Sequence, residues 1–198
     1  MKYGLTVVTP PAVKPVSVSE AKEWVKIESS VTEDDSLISG LIGSATNMAE
    51  AYLGRALITR TYDMTLDCFP PSYYGVIYLP KNPVQSVTSV TYIDNNGASQ
   101  AWGSSNYTLD NSSAEARLYA AYNISYPNIR NVRNAVTVRY VAGYGDNASD
   151  VPDNIKDAIK VMIAEMYNNR QETVYGVATS RVSMTAEYLL SPYRLMGF

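Results

Sequence analysis

The hydrophobic period of this chain changes twice, and those changes limit the folds open to it. In TEDDSLISGLIGSATNMAEAYLGRAL, Leu37, Ile38, Leu41, Ile42, Ala45, Met48, Ala49, Tyr52 and Leu53 recur at helical spacing and form one broad apolar stripe. From Thr61 the period is two: Tyr62, Met64, Leu66 and Cys68 alternate with Thr61, Asp63, Thr65 and Asp67 until Pro70 and Pro71 break the run. Beyond Pro152 the helical period returns, carried by Ile155, Ala158, Ile159, Met162, Ile163, Met166 and Tyr167. The simplest organisation is an α+β chain. A helical core with terminal arms occupies 1–60 and 143–198, and an antiparallel β-rich module is inserted at 61–142.

Local signals set the expected boundaries. Ser17 and Glu20 have capping-box spacing, which predicts a first helix over about 18–28. Thr32 begins the second, over 33–53, with Glu33, Asp34 and Asp35 in its first turn and Gly54 as its stop. Pro152 suits the opening of a third helix over 152–168, because its missing N–H would be unpaired there in any case. A short fourth helix is expected over 185–190, ended by Pro192, after a loop or weak strand over 171–183. Further strands are expected at VIYLP, SVTSVTYID, ASQAW, NYTLD, ARLY and AVTVRYVA, with Asn96 and Gly97 as a hairpin turn between two of them.

Composition excludes several function classes. The 198 residues include no histidine, which removes Ser-His-Asp and Cys-His catalysis and imidazole metal sites. The net charge is −3 with no basic run, so tight binding to DNA by counterion release is not expected. The N-terminal MKYGLTVVTPPAVKP is interrupted by three prolines before a long apolar run develops, so neither a signal peptide nor a membrane span is expected. The single cysteine, Cys68, falls on the apolar phase of its alternation and reads as a buried reduced thiol. Seventeen tyrosines stand against two phenylalanines, and ten of them lie in 61–142. A tyrosine buries its ring and keeps a wet hydroxyl, which suits half-exposed strands and subunit interfaces.

The most enzyme-like stretch is VTVRYVAGYGDNASDVPDNIKD, which reads strand, Gly-x-Gly, helix. It lacks the later glycine of a dinucleotide fingerprint and any Lys-Ser/Thr pair. Asp146, Asp150, Asp153 and Asp157 surround the helix start and would repel a phosphate. Gly143 and Gly145 are therefore read as turn residues and Pro152 as the helix start, and no catalytic residue, metal ligand or cofactor is assigned.

Four stretches taken in order carry a resemblance: VSVSEAKEWVKI, then DDSLISGLIGSATNMAEAYLGRALITRTYDMTLDCFP, then LPKNPVQSVTSVTYIDNNG, and last VTVRYVAGYGDNASDVPDNIKDAIKVMIAEMYNNRQ with LLSPYR. From Val16 to Arg194 the chain resembles the head-tail connector proteins of tailed bacteriophages, also called head completion or adaptor proteins. That resemblance implies a non-enzymatic virion protein at the head-tail junction, assembled in host cytoplasm as a homo-oligomeric ring under the portal. Such a ring extends the DNA channel, lets DNA pass without specific binding, and docks the next neck or tail protein. The resemblance further implies that the C-terminal segment reaches the portal, which here singles out Tyr188, Leu189, Tyr193, Arg194, Leu195 and Met196. The rival reading is a β-rich virion binding module for a receptor or carbohydrate, with Trp102 and exposed tyrosines stacking on sugar and no ring.

Overall fold

A computed structural model describes residues 2–71, 75–169 and 184–195. The fold class is α+β: the described residues form four α-helices and eight strands in two antiparallel sheets. The chain divides into two compact units, one of residues 1–11 with 59–144 and one of residues 12–58 with 145–198.

The first unit holds the sheets. Strands β1 (Tyr3–Thr9), β2 (Arg60–Leu66), β4 (Val84–Ile93), β5 (Ser99–Trp102) and β8 (Val136–Ala142) form a five-stranded sheet in the order β1-β2-β8-β4-β5. Strands β3 (Val76–Leu79), β6 (Tyr107–Asp110) and β7 (Ala116–Ala120) form the second, ordered β3-β7-β6. Period-two alternation decides which side chains are buried. Tyr62, Met64 and Leu66 lie opposite Tyr140, Val138 and Val136, and all six are buried. The Tyr62 and Tyr140 rings stack at 5.6 Å between centroids, and the Tyr140 hydroxyl donates to the Pro80 carbonyl at 2.8 Å. Burial pushes that hydroxyl's pKa up, with the neighbouring tyrosines adding to the effect, so it stays a protonated donor. On the opposite face Asp63 and Arg139, cross-strand partners, form a two-pronged ion pair with both bonds at 2.7 Å.

The smaller sheet buries Ile77, Leu79, Ala116 and Leu118. Buried Asn82 ties it to the chain between β3 and β4. Its amide donates to the Leu79 carbonyl and its oxygen accepts the Ala116 N–H, each at 2.8 Å. Between β6 and β7, Asp110 accepts from the Ser112 hydroxyl and N–H and pairs with Arg117. The Ser112 bonds first, then Arg117, lower its pKa from 3.8 to about 2. A depressed carboxylate favours the fold above its unfolded pKa, so this contribution is present above pH 3.8 and is lost as pH falls toward about 2. Asp110→Asn is therefore expected to flatten the fall in melting temperature across that acid window. An identical acid profile in the variant would contradict the assignment.

The tyrosine-rich region owes part of its aromatic content to a core cluster. Phe69 contacts Tyr126 at 5.0 Å, Trp102 at 5.3 Å and Tyr92 at 6.1 Å between centroids, and Trp102 contacts Tyr107 at 5.5 Å. Trp102 is buried and so is not a free stacking platform. Asn96 and Gly97 lie in the turn between β4 and β5. There the Asp94 carboxylate accepts the Asn96 and Ala98 N–H groups at 2.9 Å and Gly97 takes φ 87°, a backbone angle that disfavours a side chain.

Two sequence expectations fail in this unit. Cys68 is exposed, because β2 ends at Leu66, the chain turns, and Phe69 takes the inward position instead. Residues 1–11, expected as an arm of the helical part, supply β1, which pairs with β2 from Tyr3↔Leu66 to Thr9↔Thr61. Three prolines at 10, 11 and 15 stop that strand without preventing it.

The second unit is helical: α1 (Val18–Trp24), α2 (Asp35–Leu53), α3 (Asp153–Asn168) and α4 (Met184–Leu190). Helix α2 buries Ile38, Ile42, Ala45, Ala49 and Leu53, and α3 buries Ile155, Ala158, Ile159, Met162 and Ile163. Leu37, placed in the apolar stripe by sequence, faces solvent. The capping box is present, with the Glu20 carboxylate accepting the Ser17 N–H at 2.7 Å and the Ser17 hydroxyl accepting the Glu20 N–H at 3.2 Å.

The helix α1 stops at Trp24 rather than near residue 28, because Lys26 adopts φ 61° and the Ile27 N–H turns back to the Lys22 carbonyl. Buried Lys22 then fastens the following loop. Its ammonium donates to the carbonyls of Ser29 at 3.1 Å and Val31 at 2.5 Å and pairs with Asp35 at 2.9 Å. Helix α2 consequently begins two residues later than expected, with Asp34 as its N-cap and only Asp35 of the three acids inside the first turn.

Candidate partner-binding surface

The end of α2 is built to receive the C-terminal segment. Gly54 closes the helix at φ 69° with its N–H on the Glu50 carbonyl, and the buried Glu50 side chain accepts the Leu57 N–H at 3.0 Å. The chain therefore reverses sharply and leaves Tyr52, Leu53 and Arg55 beside α4. Helix α4 buries Ala186 and Leu190, one turn apart, and packs chiefly on α3.

Beyond α4 a single 3₁₀ turn, Ser191–Tyr193, brings the backbone onto the α2 terminus. There the Arg55 Nε donates to the Tyr193 carbonyl at 2.6 Å and the Leu195 N–H donates to the Leu53 carbonyl at 3.0 Å. The latter satisfies a C-terminal helix carbonyl that would otherwise lack a partner. The Arg194 guanidinium sits 4.8 Å from the centroid of the Tyr52 ring, whose hydroxyl donates to the Glu187 carboxylate at 3.2 Å.

These contacts divide the residues singled out by sequence. Tyr188 is 81% exposed, and Leu189 is half-buried. Tyr193, Arg194 and Leu195 are engaged within their own chain, and Met196 lies outside the described residues. The sequence reading missed Met184, 84% exposed on the same helix as Tyr188, and missed Tyr52 and Arg55 as the anchor. Tyr52 fits the helical stripe as well as any core residue, and nothing local marks its partner 142 residues later. The surface is an apolar and aromatic ridge on a fixed platform. It can dock a protein, and it offers no constellation for catalysis.

The Gly-x-Gly stretch has become a change of direction. Gly143 takes φ 141° and donates its N–H to the Pro83 carbonyl at 2.9 Å, while Gln85 holds the Gly143 carbonyl at 2.9 Å. Two residues on, Gly145 bridges to Ile58, and a Cβ added there would lie 2.5 Å from the Asp150 Cβ. The Asp150 carboxylate accepts the Asn147 N–H at 2.9 Å. Pro152 is the N-cap of α3, with ψ 137°, so the helix starts at Asp153 rather than at the proline. Asp153 and Asp157 pair with Lys156 at 2.8 Å and Lys160 at 3.2 Å on their own helix. Three of the four acids around this helix start are thus placed, Asp150 in a turn and Asp153 and Asp157 in intrahelical pairs. Among the described residues no group of three or more Cys, Asp or Glu could hold a metal ion.

Comparison with known proteins adds the family. Chains of the same fold occur in the neck of an empty gene transfer agent particle computed with C6 symmetry, at TM-score 0.80 and 21% identity, covering 98% of this chain and 97% of that one. The virion of a native gene transfer agent particle gives TM-score 0.78 at 21% identity, with 98% and 96% covered. The neck of the native particle computed with C12 symmetry gives 0.75 at 21%, with 100% and 97% covered. No curated protein matches the chain. The family model described as "Head completion protein" matches residues 15–187, most of the sequence, and the chain therefore belongs to the head completion protein family.

Proposed function

We propose that this chain is a structural head-tail adaptor of a phage-like virion. Copies of it form a ring under the portal, continue the DNA channel, and present a docking surface to the next neck or tail protein. The observation that carries this reading is the family match over residues 15–187, and chains of the same fold in necks computed with C6 and C12 symmetry support a ring. A cyclic ring requires head-to-tail contacts that close. The net charge of −3 and the absence of histidine suit a non-enzymatic channel protein through which DNA slides without specific contacts.

In this reading the ridge carrying Tyr188 and Met184 engages the portal, and the contacts of Tyr193, Arg194 and Leu195 hold that ridge in place. Large exposed side chains on a rigid base are the usual composition of an energetic hot spot. The double variant Met184→Ala, Tyr188→Ala is expected to weaken co-sedimentation with the cognate portal about 30-fold, the equivalent of about 2 kcal/mol. Its melting temperature should be unchanged, since both side chains are exposed. Portal binding equal to wild type would remove this ridge from the interface.

A further inference from the structure

The five-stranded sheet ends on β1 at one side and β5 at the other, and among the described residues neither has a further strand beside it. Strand β1 is unusual for an edge. Six of its seven residues are exposed and the seventh is half-buried, with Tyr3 51%, Val7 45% and Val8 42% exposed. No charge interrupts Tyr3–Thr9 and the first proline is Pro10, so charge and proline, two of the usual guards against edge pairing, are missing from the strand. One irregularity of register, between Val7 and Thr9, leaves Tyr3–Val7 regular. At the other edge Ser99, Gln100 and Ala101 of β5 are exposed and uncharged.

We infer that β1 of one copy adds to β5 of the next, so that the five-stranded sheets join across each subunit boundary. This inference rests on the ring reading above. The occupant is a second copy because one sheet carries both open edges, and a contact between two different edges of the same molecule is head-to-tail, the type that closes into a ring.

The strand directions fix the pairing. Each neighbouring pair in the order β1-β2-β8-β4-β5 is antiparallel, so β1 and β5 run the same way. A rotation shared among many subunits turns each strand only slightly, and the new ladder is therefore parallel. Charge selects the register. Setting Tyr3 beside Ser99 brings the exposed Lys2 of one copy to the β4–β5 turn of its neighbour, where the Asp94 carboxylate is held at 2.9 Å by Gln100. Four β5 residues make a short ladder, weak as a single contact and effective when repeated around a ring already seated on the portal.

The test is disulfide trapping on the portal in a Cys68→Ser background. Tyr3→Cys and Ser99→Cys in one chain, mixed with portal and gently oxidised, are expected to give a ladder of covalent multimers on a non-reducing gel. Either cysteine alone should give none. Val7→Lys, which adds an edge-guarding charge at an exposed position, is expected to reduce ring occupancy on the portal about tenfold with an unchanged melting temperature. If the double-cysteine protein forms rings without a ladder and Val7→Lys assembles like wild type, edge pairing is overturned and the ring reading stands. A covalent dimer from Tyr3→Cys alone overturns the β1–β5 pairing in favour of β1 against β1. If Val7→Lys keeps the ring but loses the next neck protein, the occupant is that protein and the inference is likewise overturned. A portal left bare by wild-type protein overturns the ring reading and this inference together.

Discussion

Tyr140→Ala is expected to lower the melting temperature by roughly 6–20 °C, the equivalent of about 3–5 kcal/mol lost from a chain of this size. The side chain is fully buried, stacks on Tyr62, and ends on the carbonyl of half-buried Pro80, so truncation opens a cavity and removes that carbonyl's donor together. Tyr140→Phe separates the two effects. It keeps the ring, loses the hydroxyl, and should cost about 0.5–1.5 kcal/mol. Because burial holds the Tyr140 hydroxyl protonated, its stabilising effect is present below the unfolded pKa near 10.0 and declines as pH rises above it. Thermal melts of both variants at neutral and alkaline pH check each part. An unchanged melting point for the alanine variant would mean that the stacked pair is not part of the core.

The second large effect concerns the C-terminal platform. Leu190→Asp places a carboxylate where a fully buried leucine packs in the helical unit, a penalty on the order of 4 kcal/mol or more if the segment stayed docked. Undocking would cap that cost, and the variant is expected to release residues 184–195 while the α2–α3 core stays folded. The expected result is loss of amide protection in α4 and of the Leu195 N–H bond to Leu53, with portal co-sedimentation abolished. Hydrogen exchange read beside portal binding separates this outcome from global unfolding, in which α2 and α3 would also lose protection. Wild-type portal binding by a detached segment would contradict the platform's role.

What was legible in the sequence was whatever short-range physics decides. The α2 stripe, the Ser17–Glu20 box, the Gly54 stop and the alternation of β2 and β8 depend on neighbours a few residues away, and they appear with small shifts at their ends. The misses share a cause. Strand β1 is exposed on both faces, so it leaves no one-sided apolar pattern, and its partner β2 lies more than 50 residues further along the chain. Helix α1 was read too long because the positive φ of Lys26 follows from the loop that Lys22 fastens, a tertiary effect. Cys68 carries the right phase for burial, yet the strand ends two residues before it.

The candidate surface was only half legible. An aromatic residue near the C-terminus suggests an interface, and Tyr188 is exposed. That Tyr193, Arg194 and Leu195 contact Tyr52, Leu53 and Arg55 of their own chain is something no single sequence displays. The Gly-x-Gly stretch shows the converse. Its missing glycine and its acids argued against a phosphate loop in the sequence itself, and the Asp150 carboxylate accepts within a turn while Asp153 and Asp157 pair on helix α3.

The most direct measurement is electron-microscopic imaging of the purified protein mixed with its cognate portal, with class averages taken along and across the portal axis. The ring reading expects an added annulus, coaxial with the portal and open at its centre. Portal particles without added density, or with density only away from the axis, would contradict it.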